Sequence, residues 1–192
     1  MTSFEPAVVF AILIASASGF LFLRLQSKAI GGETWDFDRM VLLSLRHPSD
    51  PSLPIGPAWL TKAFIDITAL GGLTVLSIVT ILSTAYLALV QRRFTAIFLL
   101  ASVIGGWLIS SVVKLGVARP RPDHVSHLVQ VHDLSFPSGH AMVSAVTYLT
   151  LGLLVAPTQA RRAARYYVVC VAGALTLLIG ASRVYLGVHY PY

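Results

Sequence analysis

The stretch KLGVARPRPDHVSHLVQVHDLSFPSGH, from Lys114 to His140, follows one long apolar segment and leads directly into another. Three cationic side chains, Lys114, Arg119 and Arg121, precede a Pro-Ser-Gly-His turn within it. Ionisable groups beside a membrane span are costly, and they are retained where they bind, pair or transfer something. We therefore expect the rest of the chain to be organised around this stretch.

The composition indicates a chain whose solvent is a bilayer. Of the 192 residues, 56% are hydrophobic and 11% are charged, whereas a soluble domain carries about 25% charged residues. The net charge of +6 does not indicate nucleic-acid binding, because the basic residues lie between apolar runs and not along one face. We attribute it to topology signals and to an anionic substrate.

Five apolar segments predict an all-α fold, a polytopic membrane helical bundle in a single domain over residues 1–192. The predicted spans cover about residues 6–23, 67–90, 94–117, 139–156 and 166–187, each near the roughly 20 residues that cross a bilayer core. No Lys or Arg precedes the first span, so we interpret it as an uncleaved helix and not as a signal peptide.

A more polar connection, residues 26–60, follows the first predicted span. Within it Phe37, Met40, Val41 and Leu45 recur at helical spacing. This pattern favours a short amphipathic helix at the membrane interface, and a helix packed beneath the loop is the alternative.

The short loops predict the orientation of the bundle. Arg92 and Arg93 lie in one turn, and three further arginines, Arg161, Arg162 and Arg165, lie in the loop on the same predicted side. An excess of cations in short loops marks the cytoplasmic side. The Lys114–His140 stretch should then face the periplasmic or extracellular side of a bacterial inner (plasma) membrane.

The Ser138-Gly139-His140 turn begins the fourth predicted span. The free N–H groups and the dipole at such a helix start attract anions, Ser138 adds a hydroxyl donor, and Gly139 permits close approach of a ligand. A simple N-cap by Ser138 is the alternative. His140, in the first turn, has the chemistry of a general acid, although a lone interfacial histidine is often only water-exposed.

Three cationic side chains, Lys114, Arg121 and Arg183, are suited to binding phosphoryl oxygens. Lys114 offers a point charge, and Arg121 and Arg183 each offer a planar fork that bonds two oxygens. The alternative for these side chains is anchoring at the interface. Six histidines are present, but their spacing matches no metal-ligand pattern, so we predict neither a metal site nor a cofactor.

Three motifs resemble the signatures of the type-2 phosphatidic acid phosphatase superfamily, which includes integral-membrane lipid phosphatases and vanadium haloperoxidases. They are Lys114-x6-Arg121-Pro122, Pro137-Ser138-Gly139-His140 and Ser182-Arg183-x5-His189. The resemblance implies that His189 is the nucleophile, forming a phosphohistidine, and that His140 protonates the leaving oxygen. It further implies that Lys114, Arg121, Ser138, Gly139 and Arg183 bind the phosphate without a metal.

The third motif of that superfamily normally finishes with an Asp four positions after the histidine, followed by a sixth helix. Here that position lies just beyond Tyr192. We interpret the sequence as part of a longer protein, and a natural variant without the orienting carboxylate is the alternative.

We therefore expect a metal-independent membrane enzyme that hydrolyses a lipid phosphate or pyrophosphate ester. Its partners would be the bilayer and a lipid phosphate, with no nucleic acid, and no residue pattern indicates an oligomeric state. Undecaprenyl pyrophosphate, phosphatidylglycerophosphate and phosphatidic acid all present suitable phosphates. The alternatives are a lipid phosphotransferase and a non-catalytic lipid-anion binder or transporter.

Overall fold

The computed structural model describes residues 35–117, 125–129 and 137–191, so the predicted first span lies outside the described residues. Six α-helices and a two-stranded antiparallel hairpin make up the described part. They are α1 (Trp35–Ser44), β1 (Arg46–His47), β2 (Asp50–Pro54), α2 (Ala58–Ala69), α3 (Leu73–Leu89), α4 (Arg93–Val117), α5 (Gly139–Val155) and α6 (Arg162–Tyr185), with a 3-10 turn at Ala156–Thr158. This architecture confirms the predicted helical membrane bundle.

Three segments in the described chain are long and apolar enough to cross a membrane: Arg93–Gly116, Gly139–Thr158 and Arg162–Tyr185. They lie over the third, fourth and fifth predicted spans. α5 packs against both α4 and α6, and α3 packs against α4. Treating residues 1–192 as one domain stays a prediction.

The second predicted span, residues 67–90, is not one straight helix. Its helix starts earlier, at Ala58, and is broken at residues 70–72, where α2 and α3 meet with a bend of 46°. The Gly71-Gly72 pair explains the break, because glycine is a poor helix former and Gly72 takes an extended conformation before α3. The Tyr148 hydroxyl donates to the Leu70 carbonyl at 2.8 Å and so satisfies an acceptor at the bend.

The connection before α2 is more ordered than expected. A helix is present where one was predicted, as α1, and its buried side carries Asp38 and Leu42, both fully buried. Its position at the membrane interface stays a prediction. Phe37 and Met40, from the predicted apolar stripe, are exposed. The β1–β2 hairpin was not predicted, because the proline-rich segment around it contains no alternation of apolar and polar residues.

A small apolar core holds this connection against the end of α6. Tyr185, Leu186 and Val188 are buried in it, and the half-buried residues around them are Leu45, Leu60, Phe64, Leu128 and Val129. The rings of Phe64 and Tyr185 stack with centroids 4.2 Å apart, and the Tyr185 hydroxyl donates to the Ile55 carbonyl at 2.7 Å. The hairpin, α2 and the residues after α6 are therefore packed together at one end of the bundle.

Candidate active site

The last turn of α4 meets the first turn of α5. A Cβ placed on Gly139 would lie 3.8 Å from the Lys114 Nζ and 3.9 Å from the Ser110 Oγ. The ammonium group therefore faces the backbone at the start of α5. Because that backbone end carries the positive pole of the helix, the two groups together favour an anion between them.

Ser138 is the N-cap of α5, which is the role that the sequence left open as the alternative to phosphate binding. Its Oγ accepts a hydrogen bond from the Ala141 N–H at 3.3 Å, and its carbonyl accepts from the Met142 N–H at 2.9 Å. The cap holds Gly139 and His140 in the first helical turn, where both line the cavity described below.

His140 lies against the bend between α2 and α3. A Cβ on Gly71 would lie 3.1 Å from the His140 carbonyl oxygen and 2.6 Å from the Ile179 Cγ2, so no side chain fits there. A Cβ on Gly72 would lie 4.0 Å from the His140 Nε2. The Gly71-Gly72 bend thus provides the space that the imidazole occupies.

A cavity of about 510 Å³ joins these groups. Its polar lining residues are Lys114, His140, Ser110 and Ser111, and its apolar lining residues include Trp107. The complete lining consists of Gly71, Leu73, Leu76, Trp107, Ser110, Ser111, Lys114, Leu115, Gly139, His140 and Val143. A cavity lined by one cation, two hydroxyls, an imidazole and several apolar side chains suits a phosphate attached to an apolar group.

Arg183 reaches the same region from α6. It is 3% exposed, and its Nη1 donates to the Thr68 Oγ1 at 3.3 Å. Thr68 lies three residues before Gly71, and Ile179, one helical turn before Arg183, is the residue nearest to the Gly71 Cβ position. The end of α2 therefore lies between Arg183 and His140.

His189 follows the end of α6 through a tight turn. The N–H groups of Val188 and His189 both donate to the Arg183 carbonyl, at 3.2 and 3.3 Å, while Gly187 adopts a φ of +74°. Glycine takes this left-handed conformation without strain, which explains its place at the helix end. His189 is 4% exposed, so the structure places it in a buried position.

Arg46 holds this turn from outside. Its guanidinium donates to the carbonyls of Tyr185 at 2.9 Å, Leu45 at 3.1 Å and Ser126 at 3.4 Å. A Cβ on Gly187 would lie 2.5 Å from the Arg46 Nη2, so only glycine admits the guanidinium there. One side chain of the hairpin thus links the end of α6 to residues 125–129.

The structure brings four of the predicted site residues together, and Arg183 and His189 lie outside the lining of their cavity. Lys114, Gly139 and His140 line one cavity, Ser138 caps the helix that presents two of them, and Arg183 approaches across the end of α2. His189 is held next to Arg183 through backbone hydrogen bonds. Arg121 lies outside the described residues, as does Arg119. Among the described residues, no group of three or more His, Cys, Asp or Glu side chains has a metal-binding arrangement.

Several residues of the site were not predicted. Ser110 and Ser111 precede Lys114 by one helical turn, and two adjacent hydroxyls in an apolar segment are a signal that the sequence does contain. Thr68 and Gly71 lie in the Asp66–Gly71 segment, which has polar residues at the start of an apolar run. Arg46 has no comparable signal, because it lies far from every motif in the sequence.

The sequence pattern of the PAP2 superfamily matches residues 95–192, which contain all three motifs. The chain belongs to the PAP2 superfamily. It is 30% identical over 145 residues to phosphatidylglycerophosphatase B of Bacillus subtilis (strain 168), a match covering 74% of this chain and 70% of that protein. The predicted family, and with it the class of membrane lipid phosphatases, is confirmed.

Solved structures agree with this assignment. The crystal structure of a transmembrane PAP2-type phosphatidylglycerolphosphate phosphatase from Bacillus subtilis superposes with a TM-score of 0.76 at 28% identity, over 91% of this chain and 84% of that one. Aquifex aeolicus LpxE superposes with a TM-score of 0.58 at 22% identity, over 82% of each chain. The second match shows a shared fold.

Proposed function

We propose that the protein hydrolyses the terminal phosphomonoester of a glycerophospholipid, with phosphatidylglycerophosphate as the preferred substrate. The observation that supports this most strongly is the form of the cavity. Lys114 and His140 line it, and four of its apolar lining residues also line a second groove: Leu73, Leu76, Trp107 and Val143. Phosphatidylglycerophosphate is favoured because the similar sequence and the similar crystal structure from Bacillus subtilis both carry that substrate in their names.

The second groove, of about 250 Å³, runs between α3 and α4 into the apolar part of the bundle. Its lining consists of Leu73, Leu76, Ser77, Thr80, Ile81, Leu100, Val103, Ile104, Trp107 and Val143. A lipid whose phosphate lay near Lys114 would therefore find an apolar surface for its chains directly below. Burial of each CH₂ group contributes about 0.8 kcal/mol, so this surface would select lipid over soluble phosphates.

In the proposed reaction, a neutral ring nitrogen of His189 attacks phosphorus while the bond from phosphorus to the lipid oxygen breaks. His140 gives its proton to that departing oxygen. Water then attacks the phosphohistidine, His140 takes the water proton, and inorganic phosphate leaves. Lys114, Arg183 and Arg121 would stabilise the negative charge on the phosphoryl oxygens, which is the largest expected contribution in such catalysis. No step requires a metal.

The opposite ends of the bundle support an outward-facing site. The turn with Arg92 and Arg93 and the loop with Arg161, Arg162 and Arg165 lie at the end away from Lys114 and His140. Cation-rich short loops face the cytoplasm, so the proposed site faces the outer leaflet of the plasma membrane.

The proposal is tested by phosphate release from phosphatidylglycerophosphate, undecaprenyl pyrophosphate and phosphatidic acid with EDTA present. Lys114→Met should lower kcat/KM by about a hundredfold, the usual effect of removing one group that stabilises the transferring charge. The matched control Lys62→Met removes an exposed lysine and should leave the rate unchanged. Saturable lipid binding without phosphate release in the wild type would favour a binder or transporter instead.

The lipid groove has a separate test. Ile104→Trp narrows the groove, and Ile104 does not line the cavity that contains Lys114 and His140. It should raise KM for a long-chain lipid phosphate and leave KM for water-soluble glycerol phosphate unchanged. An equal effect on both substrates would contradict the proposed position of the lipid chains.

A further inference from the structure

A large groove lies at the end of the bundle opposite the candidate active site. Its volume is about 810 Å³, and it is formed where α3, α4 and α5 approach one another. It is lined by Leu82, Ser83, Tyr86, Leu87, Val90, Arg92, Thr95, Leu151, Leu154, Val155 and Thr158. Thr95 and Lys114 lie on the same helix, and a rise of about 1.5 Å per residue separates them by about 30 Å, the thickness of a bilayer core.

The lining contains apolar residues within the helices and polar residues near the helix ends. Leu87, Leu151 and Leu154 lie in α3 and α5, whereas Arg92 directly precedes α4 and Thr158 ends the 3-10 turn. We call the end of the groove with Arg92 and Thr158 its mouth. Leu82 and Tyr86, which also line the groove, are each 65% exposed. The groove is therefore open to the surrounding bilayer along α3, and its size falls within the range of about 300–1,000 Å³ typical of ligand pockets.

The charge around the mouth is of one sign. Arg92 lines the groove, and the connections at this end and the first turns of the helices that follow them also carry Arg93, Arg161, Arg162 and Arg165. None of these segments contains an aspartate or glutamate. Such a surface has no carboxylate to bind the ammonium group of a zwitterionic lipid. A guanidinium, by contrast, can bind two oxygens of a lipid phosphate at once.

We propose that this groove binds an anionic glycerophospholipid of the leaflet opposite the active site. The lipid phosphate contacts Arg92 and the hydroxyl of Thr95, and an acyl chain lies along Leu87, Leu151 and Leu154. The Thr158 hydroxyl is already used, because it donates to the Val155 carbonyl at 2.7 Å. The site is separate from the substrate cavity, since no residue lines both. Its occupation stabilises the contact of α3, α4 and α5 at this end, independently of which lipid phosphate the enzyme hydrolyses.

Charge in these turns also serves membrane topology, and two neighbouring arginines separate the two roles. Arg92 lines the groove, whereas Arg93 does not and donates to the Gln91 side chain at 3.3 Å.

The test uses protein extracted from vesicles of phosphatidylcholine with a minor fraction of phosphatidylglycerol, and native mass spectrometry counts the lipids retained. The wild type should retain phosphatidylglycerol in preference to phosphatidylcholine.

Arg92→Gln should lower the retained phosphatidylglycerol by about tenfold, the expected effect of losing one charge-assisted contact. Arg93→Gln should change the retained phosphatidylglycerol by less than about twofold, because this variant removes the same charge from a residue that does not line the groove. Leu154→Trp, which fills the groove and keeps Arg92, should also lower it. Equal retention in Arg92→Gln and Arg93→Gln, or equal retention of the two lipids by the wild type, would overturn the proposal. Phosphate release by each variant in detergent confirms that it is folded.

Discussion

Removal of the Arg46 guanidinium should loosen the turn that carries His189. Arg46 is 2% exposed, and burial lowers its pKa from the usual value, an effect partly offset by attraction to Tyr185. Arginine remains protonated in proteins, so the side chain stays a charged donor. Its bonds to the Tyr185 and Leu45 carbonyls, at 2.9 and 3.1 Å, are short, and the bond to Ser126 at 3.4 Å is weak.

The expected loss follows from the two short bonds. A hydrogen bond from a charged group contributes about 1.5–3 kcal/mol, so taking the lower figure for each short bond gives about 3 kcal/mol for Arg46→Met. For a chain of this length about 1 kcal/mol lowers Tm by about 2–4 °C, which predicts a fall of about 6–12 °C. Activity should fall through kcat more than through KM, because the turn beside His189 is displaced and the Lys114 cavity is not.

Thermal unfolding in detergent and steady-state phosphate release measure the two effects. Arg39→Met is the matched control, because Arg39 is an exposed arginine of the neighbouring helix α1. Arg46→Lys, which keeps the charge and one donor direction, should fall between Arg46→Met and the wild type. Unfolding temperatures of Arg46→Met and Arg39→Met that agree within about 2 °C would refute the reasoning.

Two further pairs of substitutions test the packing of the bundle. Gly71→Ala places a Cβ 2.6 Å from the Ile179 Cγ2, so it should destabilise the protein by about 1–3 kcal/mol and lower phosphate release. Its control is Gly173→Ala, where a Cβ meets nothing within 4 Å among the described residues and which should be neutral or stabilising; equal unfolding temperatures of the two variants would contradict this. Thr80 is buried, and its hydroxyl has no hydrogen-bond partner in the part of the chain that the structure describes, so Thr80→Val should raise stability by about 1 kcal/mol in thermal unfolding. Thr147→Val removes a hydroxyl that donates to the Val143 carbonyl at 2.8 Å and should lower the unfolding temperature. A higher unfolding temperature in both variants would show that the state of the hydroxyl does not decide the effect.

The helices and half of the site could be predicted because their signals are local. A run of about 20 apolar residues predicts a span wherever the chain lies in the fold. Lys114 and His140 come together because the end of one predicted span is joined to the start of the next by a single connection. Ser138 could be predicted as a cap, since capping depends on residues only three positions apart.

The remaining features depend on contacts between distant segments. Arg46 and Tyr185 are separated by 139 positions, and nothing near Arg46 in the sequence predicts that its guanidinium is buried. In the sequence, Gly71-Gly72 is only a pair of small residues. That Gly71 must lack a side chain follows from the positions of His140 and Ile179, which are distant in the sequence. The burial of Asp38 in α1 could not be predicted, because periodicity counts aspartate as polar.

The central claim is that His189 takes the phosphoryl group of a lipid phosphate. It is tested most directly by mixing the protein, with any natural sequence that follows Tyr192, with phosphate-labelled phosphatidylglycerophosphate in EDTA and stopping the reaction in alkali. The account predicts transient label on the peptide that contains His189, and neither label nor phosphate release in His189→Ala. Phosphate release at the wild-type rate by His189→Ala, or label on a different residue, would contradict it.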